Sequence, residues 1–92
     1  SYIDNLHDGI NEYKKNLSDV QESKKENTEL LLKAQTQAAV DAIKDDISDN
    51  EDSIKDWQDE IDNWEMVENK LNFILDILED NKDYWELVYK NS

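Results

Sequence analysis

The chain has 92 residues, with one glycine and no proline or cysteine, and its 24 acidic residues against ten lysines give a net charge of −14. This length fits one domain, residues 1–92, and the scarcity of turn-forming residues argues against a β-rich fold. The lack of cysteine excludes a disulfide scaffold and a thiolate metal site, and the acidic charge disfavours binding to nucleic acid or to membranes.

Apolar residues in the first part of the chain recur at helical spacing. The series comprises Ile3, Leu6, Ile10, Tyr13, Leu17, Val20, Lys24, Asn27, Leu31, Ala34 and Ala38. Steps of three and four residues are typical of a helix that packs against other helices. Residues 21–29 contain no apolar side chain and several capping candidates, which predicts a first helix over residues 2–23. Because the series stays in phase across this stretch, a helix that continues through it is the alternative.

The apolar stripe changes face near residues 38–40. Ala38 and Val40 are two residues apart, which is about 200° around a helix. Alanines at positions 34, 38, 39 and 42 would allow close approach of other helices on both sides. We therefore predict a second helix over residues 28–47 that packs on two faces, either as the middle helix of a bundle or as part of a dimer seam.

A second apolar series fills the rest of the chain. It comprises Val40, Ile43, Ile47, Asn50, Ile54, Trp57, Ile61, Trp64, Glu68, Leu71, Leu75, Leu78, Lys82, Trp85 and Tyr89. Polar stretches at residues 48–53 and 79–82 predict helix boundaries, so a third helix is expected over residues 52–80 with a short tail helix to about residue 90. The expected fold is all-α: an elongated antiparallel helical bundle or hairpin with coiled-coil-like packing and three main helices. The candidate core or dimer seam consists of Ala38, Val40, Ile54, Trp57, Ile61 and Trp64.

The negative charge is concentrated in residues 41–68, which carry a net charge of −10, whereas the segments before and after carry −2 each. If this segment is helical, it holds one net charge per ~4 Å, against one per ~1.7 Å for duplex DNA. The spacing also places several carboxylates on one face. A solvated acidic surface that serves solubility is the alternative. The candidate partner-binding residues are Asp41, Asp45, Asp46, Asp49, Glu51, Asp52, Asp56, Asp59, Glu60, Asp62 and Glu65.

Catalytic signals are missing from the sequence. His7 is the single histidine, and with no cysteine it cannot build a zinc site of the usual kind. No nucleophile, base and orienting residue stand in a recognisable pattern. We therefore expect a protein that is not an enzyme and that uses neither a cofactor nor a metal.

In its size, acidity, lack of cysteine and carboxylate rows at residues 41–68, the chain resembles phage-encoded DNA-mimic proteins of the anti-restriction type. The resemblance implies an inhibitor in the cytoplasm of the host cell. Such a protein binds a basic DNA-binding protein, either a restriction nuclease or a nucleoid protein, in place of DNA, and it often works as a homodimer. No diagnostic motif is shared, so no functional residue can be carried over.

The alternative function is a helical adaptor or a secretion partner, because the chain is also similar in length and acidity to the WXG100 family of helical hairpins. The Trp-x-Gly turn of that family is absent, since Gly9 lies far from any tryptophan. Such a protein would bind its partner through the apolar seam, with Trp57 and Trp64 as the main contacts.

Overall fold

Two long helices account for nearly all of the chain. In the computed structural model, which describes residues 1–91, α1 spans Tyr2–Lys33 and α2 spans Gln37–Lys90. A capping box starts α1: the Ser1 hydroxyl accepts from the Asp4 backbone N–H, and the Asp4 carboxylate reaches back to Ser1. Thr36 caps α2, because its hydroxyl accepts from the Ala39 N–H at 3.1 Å. The fold is therefore all-α, as the apolar spacing predicts.

The two helices form an antiparallel hairpin with extents of 84 × 17 × 14 Å. Two cross-helix pairs give the register: Lys24 Nζ lies 3.5 Å from Glu51 Oε1, and His7 Nδ1 lies 3.0 Å from Glu68 Oε2. In both pairs the residue numbers add to 75, which places Ser1 level with residue 74 of α2. At 1.5 Å per residue α1 is ~48 Å long and α2 is ~81 Å long. Nearly all of the last part of α2, residues 72–90, therefore extends beyond the start of α1, and we refer to residues 72–90 as the overhang.

The core is a narrow seam between α1 and α2. Within residues 1–91 only Ile10, at 2% exposure, and Ile61, at 3%, are buried. The rings of Tyr13 and Trp57 lie 5.4 Å apart across the seam. The other members of the two apolar series up to Leu71 are mostly half-buried. The structure thus pairs the two series with each other.

The prediction of three main helices is wrong, because the expected break at residues 21–29 does not occur. The polar residues there are used inside the hairpin. The Thr28 hydroxyl donates to the Lys24 carbonyl oxygen at 2.8 Å, one turn back in the same helix, and does not cap a new one. The Asn27 amide donates to Asn50 Oδ1 at 2.8 Å, across the seam. The continuous helix that was the alternative is the one observed.

The predicted two-faced helix over residues 28–47 is also wrong. The chain turns at residues 34–36, where Ala34 has φ −65° and ψ 133° and Thr36 has φ −123° and ψ 151°. The change of face near Ala38 and Val40 is therefore the reversal between two helices, after which both stripes face one seam. Ala38 is exposed in the first turn of α2 and lies outside that seam.

The predicted boundaries at residues 48–53 and 79–82 are absent as well, and no separate tail helix forms, because α2 is continuous. Asn50 and Glu51 hold the first of these stretches to α1 through the contacts given above. In the second, Lys82 Nζ lies 3.9 Å from Glu86 Oε1 one turn later, a pairing that favours a continuing helix.

Candidate functional site

Five aspartates form a row on the outer side of α2, opposite α1. At 100° per residue they lie within an arc of about 80°, and the row extends for ~21 Å along the helix. All five side chains are exposed, and within residues 1–91 none of them makes a hydrogen bond or an ion pair. The aspartate row consists of Asp45, Asp49, Asp52, Asp56 and Asp59.

The seam explains why these carboxylates point outward. The apolar series of α2 faces α1, so residues two positions away from Ile47, Ile54 and Ile61 fall on the opposite side of the helix. Lys44 and Lys55, the two bases of residues 41–68, lie beside the row and make no ion pair with it. Neighbouring carboxylates in the row are three or four residues apart, which destabilises a helix by ~0.2–0.5 kcal/mol per pair. The row is therefore a local electrostatic cost that the hairpin carries.

Three glutamates of the predicted set are engaged within the hairpin. Glu51 pairs with Lys24 at 3.5 Å, and Glu65 Oε1 lies 3.0 Å from Lys14 Nζ. Glu60 Oε1 accepts from the Trp64 indole N–H at 2.8 Å. The predicted set of acidic residues thus includes members that help to join or order the helices, although exposed pairs of this kind contribute only ~0–1 kcal/mol each.

The remaining members of the predicted set lie close to the row. Asp41 accepts a hydrogen bond from the Gln37 side-chain amide at 2.8 Å, and Asp62 accepts one from the Gln58 side-chain amide at 3.0 Å, both within α2. Asp46 is exposed on the flank of the helix. All three carboxylates extend the negative surface beyond the row itself.

The candidate seam residues take internal positions, except for Ala38. Val40, Ile54, Trp57 and Trp64 are half-buried against α1, and Ile61 is buried. Their apolar surfaces are therefore largely covered within one chain. Because α1 covers part of Trp57 and Trp64, these two side chains offer a partner less surface than the predicted seam interface requires.

Sequence reasoning missed the exposed apolar surface of the overhang. The second series ran on through Leu78, Trp85 and Tyr89, which suggested core positions, but these residues are 58%, 66% and 83% exposed because α1 begins level with residue 73. The signal was present in the sequence as additional apolar residues beside the series, such as Ile74 and Ile77. A helix that is apolar over more than one stripe contacts more than one neighbour.

Metal-ligating clusters of three or more histidine or acidic residues are absent from residues 1–91. Over the same residues, neither helix has a stretch that is both long and apolar enough to cross a membrane. Comparison with known proteins found no matching family model, no matching curated protein and no matching solved structure.

Proposed function

We propose that this protein is a DNA-mimic inhibitor that places its aspartate row in the DNA-binding groove of a basic protein, either a nuclease such as a restriction enzyme or a nucleoid protein. The observation that supports the proposal is the row itself. Five carboxylates stand exposed in line, and none has a partner within residues 1–91. Surface acids that serve only solubility are usually interspersed with bases.

The spacing of the row fits a site built for a phosphate backbone. The row carries one charge per ~5 Å of helix, compared with one per ~3.4 Å along a single DNA strand. Lysine and arginine side chains that contact phosphates are long and flexible enough to adjust to the difference between these two charge spacings. The cross-section of 17 × 14 Å makes the hairpin a slender rod that a duplex-sized groove can receive.

The mechanism follows from charge and geometry. A groove lined by cations holds counter-anions, and a carboxylate row that enters the groove displaces them, as DNA phosphates do. While the rod occupies the groove, DNA is excluded. Binding should therefore weaken steeply as the salt concentration rises, and duplex DNA should compete for the same surface.

The test compares two variants of equal net charge. In the row variant, Asp45, Asp49, Asp52, Asp56 and Asp59 become asparagine. In the control variant, five exposed acids on α1 become amides: D8N, D19N, E22Q, E26Q and E29Q. Proteins captured from bacterial lysate at low salt are eluted with duplex DNA and identified. Their affinity for the wild type and for both variants is then measured over a range of salt concentrations.

We expect the row variant to lose at least about a hundredfold in affinity, because several charge-assisted contacts disappear together, and to show a shallower salt dependence. The control variant should bind nearly as well as the wild type. Equal affinity of the two variants would contradict the proposal, because only total charge would then matter.

A helical adaptor or secretion partner remains the second candidate, and the exposed apolar residues of the overhang favour it. Such a protein would bind a partner that resists high salt and is not released by DNA. Its binding would survive in the row variant and fail when a charge is placed on the overhang, for example with Ile77→Glu.

A further inference from the structure

The overhang exposes ten large apolar side chains, each between 40% and 83% accessible. A contiguous apolar surface of this size on a water-exposed helix marks an interaction site. Within residues 1–91, no other element lies alongside it beyond its first two residues, because the hairpin consists of α1 and α2 alone and α1 begins at Tyr2, level with residue 73. The ten residues are Phe73, Ile74, Leu75, Ile77, Leu78, Tyr84, Trp85, Leu87, Val88 and Tyr89.

The order of these residues is symmetric about Asn81. Reading outward from Asn81 in either direction, the chain shows two polar residues, then two apolar, one acidic, three apolar and one polar residue. The half before Asn81 is mainly aliphatic, with Ile77 and Leu78 nearest to it, and the half after it is largely aromatic, with Tyr84 and Trp85 nearest. A two-fold interface requires each patch to be complementary to itself, so that residue i contacts residue j and j contacts i. A sequence that is palindromic in hydrophobicity meets this requirement for an antiparallel helix pair.

Asn81 also lies at the middle of the apolar face of the overhang. At 100° per residue, eight of the ten apolar side chains lie within about 80° of Asn81, and the other two, Leu75 and Leu87, lie about 120° away. Four acids occupy the opposite side of the helix: Asp76, Glu79, Asp83 and Glu86. The face is therefore centred on one polar residue with apolar residues on all sides of it.

We propose that a second copy of this chain covers the overhang, with the two overhangs antiparallel and the two-fold axis at Asn81. The aliphatic half of each overhang then packs against the aromatic half of the other. The two Asn81 amides meet at the axis, where they can hydrogen-bond to each other. A single asparagine inside an apolar helix interface fixes register and orientation, which is the role this geometry gives to Asn81.

Charge favours the antiparallel arrangement over the parallel one. A parallel pair would lay the two −10 segments, residues 41–68, side by side, whereas the antiparallel pair places them at opposite ends of a rod. The overhang itself carries five acids and two lysines, a net charge of only −3. The two aspartate rows would then lie roughly 90 Å apart, at 1.5 Å per residue from the axis.

The available area suffices for a stable dimer. Eight apolar side chains per copy lie within about 80° of Asn81. If each loses roughly 100 Å² of exposed surface, about half of what a large aromatic side chain can bury, the two copies together remove on the order of 1,500 Å² from water. Stable interfaces bury ~1,200–2,000 Å². This inference stands on the overhang alone and does not depend on the aspartate row or on its proposed partner.

The first experiment combines sedimentation velocity with small-angle X-ray scattering on the whole chain. An antiparallel dimer extends from the α2 start of one copy to that of the other, ~130 Å at 1.5 Å per residue. A monomer or a parallel dimer keeps a length near 84 Å. A dimer of ~130 Å supports the proposal. A dimer near 84 Å overturns it, as does a monomer at all concentrations, which would leave the face to a different protein.

A pair of variants locates the interface. Ile77→Glu places a charge about 40° from Asn81, whereas Leu87→Glu makes the same change about 120° away, on a residue that is 60% exposed. Circular dichroism checks that both variants keep their helix content. Ile77→Glu should raise the dimer dissociation constant at least about tenfold, because a symmetric interface receives the charge twice, and Leu87→Glu should change it little. Equal effects of the two changes, or no effect of Ile77→Glu, would overturn the placement of the interface.

Cysteine cross-linking tests the axis itself, because the chain has no cysteine of its own. Asn81→Cys should form a disulfide-linked dimer under mild oxidation, since the residue meets its own copy at the axis. Asp83→Cys, about 160° around the helix, should link at least about tenfold more slowly. Similar rates at the two positions would place the axis elsewhere and overturn the proposal.

Discussion

Single residues along the hairpin differ widely in the apolar surface that they remove from water. Ile61 is 3% exposed at the centre of the seam, whereas Leu32, in the last turn of α1, is 84% exposed. A two-helix seam buries few side chains completely, so its stability depends strongly on the few that it does bury. Ile10 and Ile61 are such residues.

Truncating Ile61 should therefore destabilise the hairpin far more than truncating Leu32. We expect Ile61→Ala to lower the free energy of unfolding by ~2–3 kcal/mol, the lower part of the range for buried isoleucine, because a two-helix seam can partly close over the cavity. Leu32→Ala should stay within ~0.5 kcal/mol. Urea unfolding followed by circular dichroism measures both changes. Similar losses for the two variants would show that the seam is not the main source of stability.

At the scale of the elements, caps and cross-helix contacts decide where helices begin. Thr36 and Thr28 show the difference. Thr36 caps α2 through its bond from the Ala39 N–H, whereas Thr28 lies inside α1 and donates to the Lys24 carbonyl oxygen. The same residue type thus supports a helix start at one position and is a weak helix former at the other.

Replacing each threonine by alanine should accordingly have opposite effects. Thr36→Ala removes the partner of an otherwise unpaired backbone N–H and should cost about 1 kcal/mol of stability. Thr28→Ala replaces a β-branched residue in a helix interior and should stabilise by a few tenths of a kcal/mol, up to ~0.7. Thermal unfolding under one buffer condition compares the two variants. A loss at Thr28 as large as that at Thr36 would argue for a helix boundary near residue 28.

For the molecule as a whole, the dominant electrostatic feature is a net charge of −14 spread along a thin rod. Few ion pairs offset it: across the seam only Lys14 and Lys24 pair with glutamates, and both lysines are exposed or half-buried. Self-repulsion therefore opposes folding, and the aspartate row concentrates that repulsion in α2. A surface retained at such a cost is consistent with a binding role.

The row variant described above should consequently be more stable than the wild type. Four neighbouring pairs at ~0.2–0.5 kcal/mol each predict a gain of about 1–2 kcal/mol at low ionic strength. The gain should shrink as salt is added, because screening already weakens the repulsion in the wild type. Urea unfolding at about 10 mM salt, where the Debye length is about 30 Å, and at about 500 mM salt, where it is less than about 10 Å, measures the difference. A row variant that is less stable than the wild type would mean that the carboxylates take part in contacts that hold the hairpin.

Much of this architecture could be predicted from local spacing. Steps of three and four residues predict helices throughout, and the spacing of Asp45 to Asp59 places the row on one face, because both depend only on the 3.6-residue period of a helix. The all-α class and the exposed row follow from that period. Helix ends were harder to predict, since the polar stretches at residues 21–29 and 48–53 look like boundaries until their partners are known.

Only the tertiary structure decided how the helices use those residues. Across the seam, the Asn27 amide donates a hydrogen bond to Asn50, and Lys24 pairs with Glu51. These contacts give the polar side chains of both stretches a partner while the stretches remain helical. The reach of α1 along α2 was likewise invisible in the sequence, because the register depends on where the chain turns, at residues 34–36. That register determines which apolar residues are covered and which remain exposed in the overhang. A stripe in the sequence shows that a residue can be buried, whereas burial itself requires a neighbouring element at the same height along the rod.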